Sequence, residues 1–247
     1  MEHLEGRIAV TAALEAFERR FDVLLLRRGT RPERLAELLE LAQRRGVPVQ
    51  YVEREQLDAL SHGRTHGGVI AICSARRRTT PAELLERVAA LHDPPLLLLL
   101  EGIDDDRNLG FTLRTADALG VHAVLIKKHL WDFDPVEVAR PSSGAFERLP
   151  LVQLADLSLL HALRRRGVRI IGCLGGARRS IYERDLAGPT LIAVGGEKRG
   201  LSGALRGACD QFMSIPTRGG APSLALSHAA AIVLAEAARQ RRAAPHP

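Results

Sequence analysis

The sequence predicts an α/β protein with a small N-terminal α/β unit and a larger C-terminal part built on a mostly parallel sheet. Two observations carry this prediction. From Leu96 onward, continuous apolar strands alternate with helices, which is typical of a parallel sheet covered on both faces. The chain of 247 residues is 46% hydrophobic and 26% charged, so it can bury a core and form one or two domains.

The N-terminal unit is predicted from hydrophobic periodicity. Residues 6–21 bring apolar side chains onto one helical face: Ile8, Val10, Ala13, Leu14, Phe17 and Phe21. The elements that follow are a strand over 22–26, an amphipathic helix over 31–46 and strands over 48–53 and 68–74. We expect a first domain over residues 1–75. A Thr-Thr-Pro start and a Pro-Pro stop predict a linker helix within 76–95.

The C-terminal part, residues 96–247, contains five apolar runs that read as strands. They cover 96–103, 121–126, 168–174, 191–196 and 212–216, and the helical patterns between and after them cover 108–120, 160–167 and 223–242. The last residues, AAPHP (243–247), are expected to be disordered.

Charge and composition narrow the class of protein. The net charge of +6 and the pI near 9.9 suit a polyanionic partner, although a general preference for arginine explains the same balance. Three scattered cysteines give no disulfide framework, and the first residues do not resemble a signal peptide. The apolar run Pro94–Leu100 is far shorter than the ~18 residues of a membrane span. From the cysteine usage we expect a cytoplasmic protein.

Three glycine-rich segments follow predicted strands: GCLGGA (172–177), VGGEKRG (194–200) and TRGGAPS (217–223). Ligands of open α/β sheets bind at the carboxyl ends of strands. The first segment is not Gly-x-Gly-x-x-Gly, and the chain has no P-loop. A plain turn explains any one of these segments, but together they indicate a pocket with backbone walls.

A second candidate region is DDDRNLGFTLRTADALGV (104–121). The simplest explanation of Asn108, at the helix start, is that it caps the helix. The simplest explanation of Arg114 is that it is a solvated or ion-paired helix residue. Adjacent aspartates point in different directions, so Asp104–Asp106 indicate a solvated turn rather than a metal site. The pair His62 and His66 likewise indicates turn histidines, because no further ligand is suitably spaced.

The order of three motifs resembles the SpoU (TrmH) family of RNA ribose 2′-O-methyltransferases. The motifs are NLGFTLRTA (108–116), GGEKRGLS (195–202) and IPTRGGAPSLALSHA (215–229). The N-terminal unit, with THGGV (65–69), resembles the substrate-binding domain of the ribosomal-RNA branch of this family. The resemblance implies a trefoil-knotted C-terminal α/β domain, an N-terminal RNA-binding domain and a homodimer. It also implies S-adenosylmethionine as the cofactor, no metal, and structured RNA, above all large-subunit ribosomal RNA, as the substrate.

By motif position the resemblance assigns Arg114 as the catalytic arginine. An arginine is a poor base, so we expect it to hold the target phosphate and stabilise the developing alkoxide. Asn108 and Glu197 are expected to orient the nucleotide and the arginine, and Ser223 to hydrogen-bond near the substrate. The cofactor-binding residues implied are Leu174, Gly175, Val194, Gly195, Gly196, Ile215, Pro216, Ser223 and Leu224.

One position departs from the family pattern, which reads Ser-Leu-Asn where this chain has Ser223-Leu224-Ala225. An active enzyme remains the main prediction. A catalytically impaired RNA-binding homologue, a tRNA substrate and a nucleotide-dependent oxidoreductase are the alternatives.

Overall fold

A computed structural model describes residues 1–62, 66–127, 133–197, 199–220 and 223–243. The chain divides into two compact units. The first comprises Met1–Arg77 and Asp134–Arg148, and the second comprises Arg78–Phe133 and Leu149–Pro247. The predicted disordered tail, apart from Ala243, and Thr65 of the THGGV motif lie outside the described residues.

The elements alternate along the whole chain. In the first half they are β1 (Glu2–Glu5), α1 (Arg7–Ala16), β2 (Phe21–Arg27), α2 (Ala36–Arg44), β3 (Val49–Val52), α3 (Arg54–Leu60), β4 (Val69–Cys73), α4 (Pro81–Ala89), β5 (Leu96–Glu101) and α5 (Asp106–Ala118). In the second half they are β6 (Ala123–Lys127), α6 (Pro135–Ser142), α7 (Ala145–Arg148), β7 (Leu151–Gln153), α8 (Ser158–Arg165), β8 (Arg169–Cys173), β9 (Thr190–Gly195), α9 (Gly203–Ala208), β10 (Gln211–Met213) and α10 (Leu226–Ala243).

The first unit contains a four-stranded sheet in the order β1-β4-β2-β3. Strand β4 is antiparallel to both β1 and β2, and β2 is parallel to β3. The predicted strands over 22–26, 48–53 and 68–74 are present, whereas β1 and α3 were not predicted. The single helix predicted over 31–46 is a short 3-10 turn at Pro32–Arg34 followed by α2.

The helix predicted over 6–21 ends early. Helix α1 stops at Ala16, Phe17 takes a left-handed conformation, and Phe21 already belongs to β2. Val10, Ala13 and Leu14 are buried as expected. Ile8 and Phe17 are exposed, which corrects their predicted place on the buried face.

The segment 134–148 joins the first unit through a buried ion pair that sequence spacing cannot reveal. The Arg19 guanidinium donates to both Glu147 carboxylate oxygens at 2.9 Å, and both side chains are almost fully buried. Burial by itself lowers the pKa of Arg19, but the hydrogen bonds and charge of Glu147 outweigh burial and raise it. The Arg19 guanidinium therefore stays charged, and removing Glu147 would leave that buried charge uncompensated.

The second unit confirms the predicted parallel sheet. Its six strands lie in the order β10-β8-β9-β5-β6-β7, and every neighbouring pair is parallel. The leucines of Leu96–Leu100 are completely buried in the central strand β5. Leu84 and Val88 of α4, the helix predicted as a linker, are buried in the core of this unit. The trefoil knot stays a prediction from the family resemblance.

The sheet topology brings the carboxyl ends of β10, β8, β9, β5 and β6 side by side. The segments that the sequence singled out follow these strands, so the fold gathers them at one edge of the sheet. Within the part of the chain that the structure describes, none of the helices combines the length and apolar character of a membrane span.

Candidate active site

A cavity of about 600 Å³ opens at the carboxyl ends of β5, β6 and β9. Its walls come from these strand ends, the start of α5 and the start of α10. The lining residues are Glu101, Gly102, Ile103, Asp104, Asn108, Lys127, Gly196, Glu197, Arg199, Gly200, Ser202 and Leu226. Three of the predicted site residues, Asn108, Gly196 and Glu197, therefore share one cavity. Its volume lies within the usual range for small-molecule sites.

The loop after β9 closes on itself. The Gly200 amide donates to the Gly196 carbonyl at 2.8 Å, and Gly200 takes a positive φ of 59°. A Cβ at Gly195 would lie 2.2 Å from the Gly200 carbonyl carbon, and one at Gly196 would lie 2.6 Å from the Gly102 carbonyl oxygen. Because these neighbours are backbone atoms, neither glycine can carry a side chain without opening the loop.

A polar network that sequence reasoning missed ties this loop to the neighbouring strands. The Lys127 Nζ donates to Glu101 Oε1 at 2.7 Å and to the Ser202 hydroxyl at 3.1 Å. The Ser202 amide donates to Glu101 Oε2 at 2.7 Å. Glu101 and Lys127 lie opposite each other at the last positions of β5 and β6. A charged residue that ends a buried apolar run is the sequence feature that could have revealed both.

Electrostatics keeps this network charged. Burial opposes ionisation of Glu101, but hydrogen bonds from Lys127 and Ser202 outweigh it and hold the pKa of Glu101 below its ordinary value of 4.5. Glu101 is therefore a fixed carboxylate near neutral pH. It joins β5, β6 and the loop after β9 at the cavity wall.

The start of α5 places Asn108 in the cavity. Asp105 caps this helix, because its side chain accepts the Asn108 amide at 2.7 Å. The simplest explanation of Asn108, that it caps the helix, is therefore wrong. The half-buried Asn108 side chain lies at the cavity instead.

Arg114 is exposed and is not a lining residue of this cavity. Six residues separate it from Asn108 on α5, which places it about 120° around the helix at 3.6 residues per turn. Arg114 and Asn108 therefore lie on different faces of α5, and only Asn108 lines the cavity.

The segments after β8 and β10 lie beside each other. The Leu174 amide donates to the Met213 carbonyl at 2.9 Å, and the Ile181 amide donates to the Ser214 carbonyl at 2.9 Å. These bonds bring the segment that contains Leu174 and Gly175 beside the segment that contains Ile215 and Pro216, just beyond the ends of β8 and β10. A Cβ at Gly175 would meet no atom within 4 Å, so open space borders this glycine.

The remaining predicted residues lie on β9 and before α10. Val194 is buried in β9 next to Gly195, Ser223 is exposed, and Leu224 is half-buried. The Ala225 carbonyl accepts the Ala229 amide at 2.9 Å, so Ala225 stands immediately before the first turn of α10. Among the described residues, no group of three or more histidines, cysteines or carboxylates is arranged to hold a metal ion.

Comparison with known proteins gives two family matches that together span most of the chain. The model of the SpoU rRNA Methylase family matches residues 95–235. A model described as RNA 2′-O ribose methyltransferase substrate binding matches residues 3–79. The chain belongs to the SpoU rRNA methylase family.

Relatives of nearly the same length support this assignment. The chain is 37% identical to the 23S rRNA (guanosine-2′-O-)-methyltransferase RlmB of Pseudomonas putida, over 98% of each chain. It is 36% identical to the RlmB of Vibrio parahaemolyticus, again over 98% of each.

A solved structure shows the same architecture. The SpoU methyltransferase AviRb from Streptomyces viridochromogenes, in complex with the cofactor AdoMet, superimposes with a TM-score of 0.78 at 27% identity. The match covers 98% of this chain and 91% of that one. Family membership confirms the predicted class of enzyme, an S-adenosylmethionine-dependent RNA 2′-O-methyltransferase.

Proposed function

We propose that this chain transfers a methyl group from S-adenosylmethionine to the ribose 2′-hydroxyl of a guanosine in 23S ribosomal RNA. The observation that carries the proposal is the full-length similarity to enzymes named for that reaction. The cavity at the carboxyl ends of β5, β6 and β9 supports it, because motif residues Asn108, Gly196 and Glu197 line that cavity together. An enzyme acting on ribosomal RNA works where ribosomes are, so we place it in the cytoplasm.

The backbone at the sheet edge fits the cofactor. Gly195 and Gly196 have no room for a side chain, and Gly175 borders open space, which is the arrangement expected where backbone groups approach a ligand closely. We assign the cofactor to the segments after β8, β9 and β10. The residues that would hold it are Leu174, Gly175, Val194, Gly195, Gly196, Ile215, Pro216, Ser223 and Leu224. When bound, it supplies an electrophilic methyl group.

The side chains then have to orient a weak nucleophile. We assign Asn108 and Glu197 to positioning the target nucleotide, and Ser223 to a hydrogen bond near it. An arginine side chain is a poor base, so we assign Arg114 a role other than proton removal. It would hold the target phosphate and stabilise the negative charge that develops on the ribose oxygen.

We propose that Arg114 acts in the site of a second copy of the chain. Arg114 is exposed and lies about 120° around α5 from Asn108, so it does not line the described cavity of its own chain. In a homodimer, the second copy would supply this guanidinium to the site. Mixing Arg114→Ala chains with Gly195→Ala chains should then restore part of the activity that each variant lacks alone.

For the domains, we propose that residues 1–75 form the RNA substrate-binding domain, 76–95 a connecting helical segment, and 96–247 the methyltransferase domain. The substrate-binding match over residues 3–79 and the methylase match over 95–235 support two domains with these approximate limits. The compact units differ in two respects, because residues 134–148 belong to the first unit and α4 packs in the core of the second.

The proposal is tested by transfer of labelled methyl from S-adenosylmethionine to total RNA lacking this modification. Label is expected in 23S ribosomal RNA, and nuclease digestion is expected to release it as 2′-O-methylguanosine. Label in tRNA or on a base would contradict the proposal. Binding of RNA and cofactor with no transfer would favour a second candidate function, that of a catalytically impaired RNA-binding homologue. Ala225, which stands where the family pattern has asparagine, is the residue that favours this alternative.

A further inference from the structure

Two helices in the first unit end in different ways. Helix α2 ends at Arg44, and Gly46 takes the positive φ of 63° that turns the chain. Helix α1 ends at Ala16, and Phe17 takes the corresponding left-handed conformation, with φ of 58°. Glycine or asparagine ordinarily stands at such a position, because a Cβ makes it unfavourable. Phe17 is thus a strained residue where the same fold elsewhere uses glycine.

Burial does not compensate for this strain. The Phe17 side chain is 72% exposed, more than any other large hydrophobic residue of the described chain except Met1, which is equally exposed. An exposed aromatic residue in a strained conformation is therefore maintained for a reason other than packing of the core. Strain of this kind is concentrated at functional sites.

The Phe17 ring is nevertheless held firmly on one side. The Arg45 guanidinium lies 4.1 Å from the centre of the Phe17 ring and 5.5 Å from that of Phe21. That guanidinium is itself fixed, because it donates to the carbonyl groups of Ala13, Leu14 and Arg19. One face of the Phe17 ring is covered by a fixed cation, and the high exposure leaves the other face to solvent.

From this geometry we infer that Phe17, supported by Arg45, is a stacking platform for an unpaired base of the RNA substrate. The inference rests on the proposed function, since it names a contact in the domain assigned to RNA binding. Proteins read single-stranded RNA by stacking unpaired bases on aromatic rings and guanidinium planes. The exposed arginines Arg20 and Arg44 are close to Phe17 and Arg45 in the sequence, and Arg44 pairs with Glu40 at 3.4 Å. Positive charge near a bound base favours contact with its phosphates.

The decisive variant is Phe17→Gly, because it separates RNA binding from stability. Glycine relieves the strained backbone and removes the ring. The Tm is therefore expected to stay unchanged or to rise by about 2–4 °C. The Kd for an unmodified 23S RNA transcript, measured by filter binding, is expected to rise roughly five- to a hundredfold. The KM for that RNA should rise in parallel, while kcat and the Kd for S-adenosylmethionine stay unchanged.

Three further variants identify the cause. Phe17→Trp should retain affinity, whereas Phe17→Leu should lose it, because leucine keeps apolar bulk and lacks a flat ring. Tyr51→Ala is the matched control: Tyr51 is an exposed aromatic residue of the same unit, on the edge strand β3. Removing Tyr51 should change the Kd for the transcript by less than twofold.

Native affinity for the transcript in Phe17→Gly would overturn the inference, as would equal losses in Phe17→Gly and Tyr51→Ala. A marked fall in the Tm of Phe17→Gly would also overturn it, because the ring would then serve the fold. A native chain that binds the transcript and transfers no methyl group would contradict the proposed function. In that case the comparison of Kd values still tests the platform on its own.

Discussion

The cavity of the second unit and the end of α1 in the first unit differ in how their functional residues are held in place. At the cavity, backbone atoms leave no room for a side chain at Gly195, and a charged network joins Glu101, Lys127 and Ser202. At the end of α1, an exposed ring lies with one face against the Arg45 guanidinium. Methyl transfer needs fixed geometry, whereas recognition of an unpaired base needs an accessible surface.

Among the variants of the cavity, Gly195→Ala is expected to have the largest effect on cofactor affinity. In Gly195→Ala the new Cβ meets the Gly200 carbonyl carbon at 2.2 Å, so the loop after β9 must open. Overpacking of this kind costs about 1–3 kcal/mol. The Kd for S-adenosylmethionine, measured by calorimetry, should rise at least tenfold, on the order of 1.4 kcal/mol.

The matched control is Gly203→Ala at the first position of α9. A Cβ there meets nothing within 4 Å, and alanine favours helix. Cofactor affinity is expected to stay native and the Tm to stay level or rise. Equal losses in both variants would mean that the closed loop is not the determinant of cofactor affinity.

An intermediate effect is expected from Glu101→Gln, which leaves Lys127 without its charged partner. A hydrogen bond to a charged group contributes about 1.5–3 kcal/mol, so the Tm near pH 7 should fall by several degrees. The folded pKa of Glu101 lies below its ordinary value of 4.5. The stabilisation is therefore present above that ordinary value and is lost as the pH falls through the folded pKa.

The difference in Tm between native protein and Glu101→Gln should accordingly be constant from pH 6 to pH 8 and narrow in acid, below about pH 4.5. Thermal unfolding across this range measures it. Glu86→Gln, at an exposed carboxylate of α4, serves as the control and should leave the Tm unchanged at every pH. A difference that widens in acid would show that Glu101 is not held as a carboxylate.

The smallest effect is expected from Ala225→Asn. Ala225 stands before the first turn of α10, where asparagine caps a helix better than alanine by about 1 kcal/mol. The Tm should rise by about 2–4 °C. The rate of methyl transfer should rise by less than tenfold, because the native chain is already an active enzyme. A rise of several hundredfold from a baseline near zero would instead identify the native chain as a degenerate enzyme.

Much of the second unit could be predicted from sequence because its strands are continuous apolar runs. Leu96–Leu100 has no polar face, which favours a strand buried on both faces, as in a parallel sheet. The glycine-rich loop after β9 could also be predicted to have backbone walls, because a close approach of backbone to backbone requires glycine.

Long-range pairing explains what sequence analysis missed. Glu101 and Lys127 are 26 positions apart and meet only because β5 and β6 are neighbours in register. Arg19 and Glu147 are 128 positions apart, and their ion pair brings residues 134–148 into the first unit. The periodicity of α1 placed Phe17 on the buried face, and the left-handed turn at Phe17 itself removed it.

We propose that the cavity at the carboxyl ends of β5, β6 and β9 performs methyl transfer with the help of Arg114. Single-turnover transfer to 23S RNA by Arg114→Ala tests it most directly, with Arg165→Ala, an exposed arginine at the end of α8, as the control. The account predicts that Arg114→Ala forms 2′-O-methylguanosine on the order of 10²–10³-fold more slowly, with a native Kd for S-adenosylmethionine. A native rate in Arg114→Ala, or an equal loss in Arg165→Ala, would contradict it.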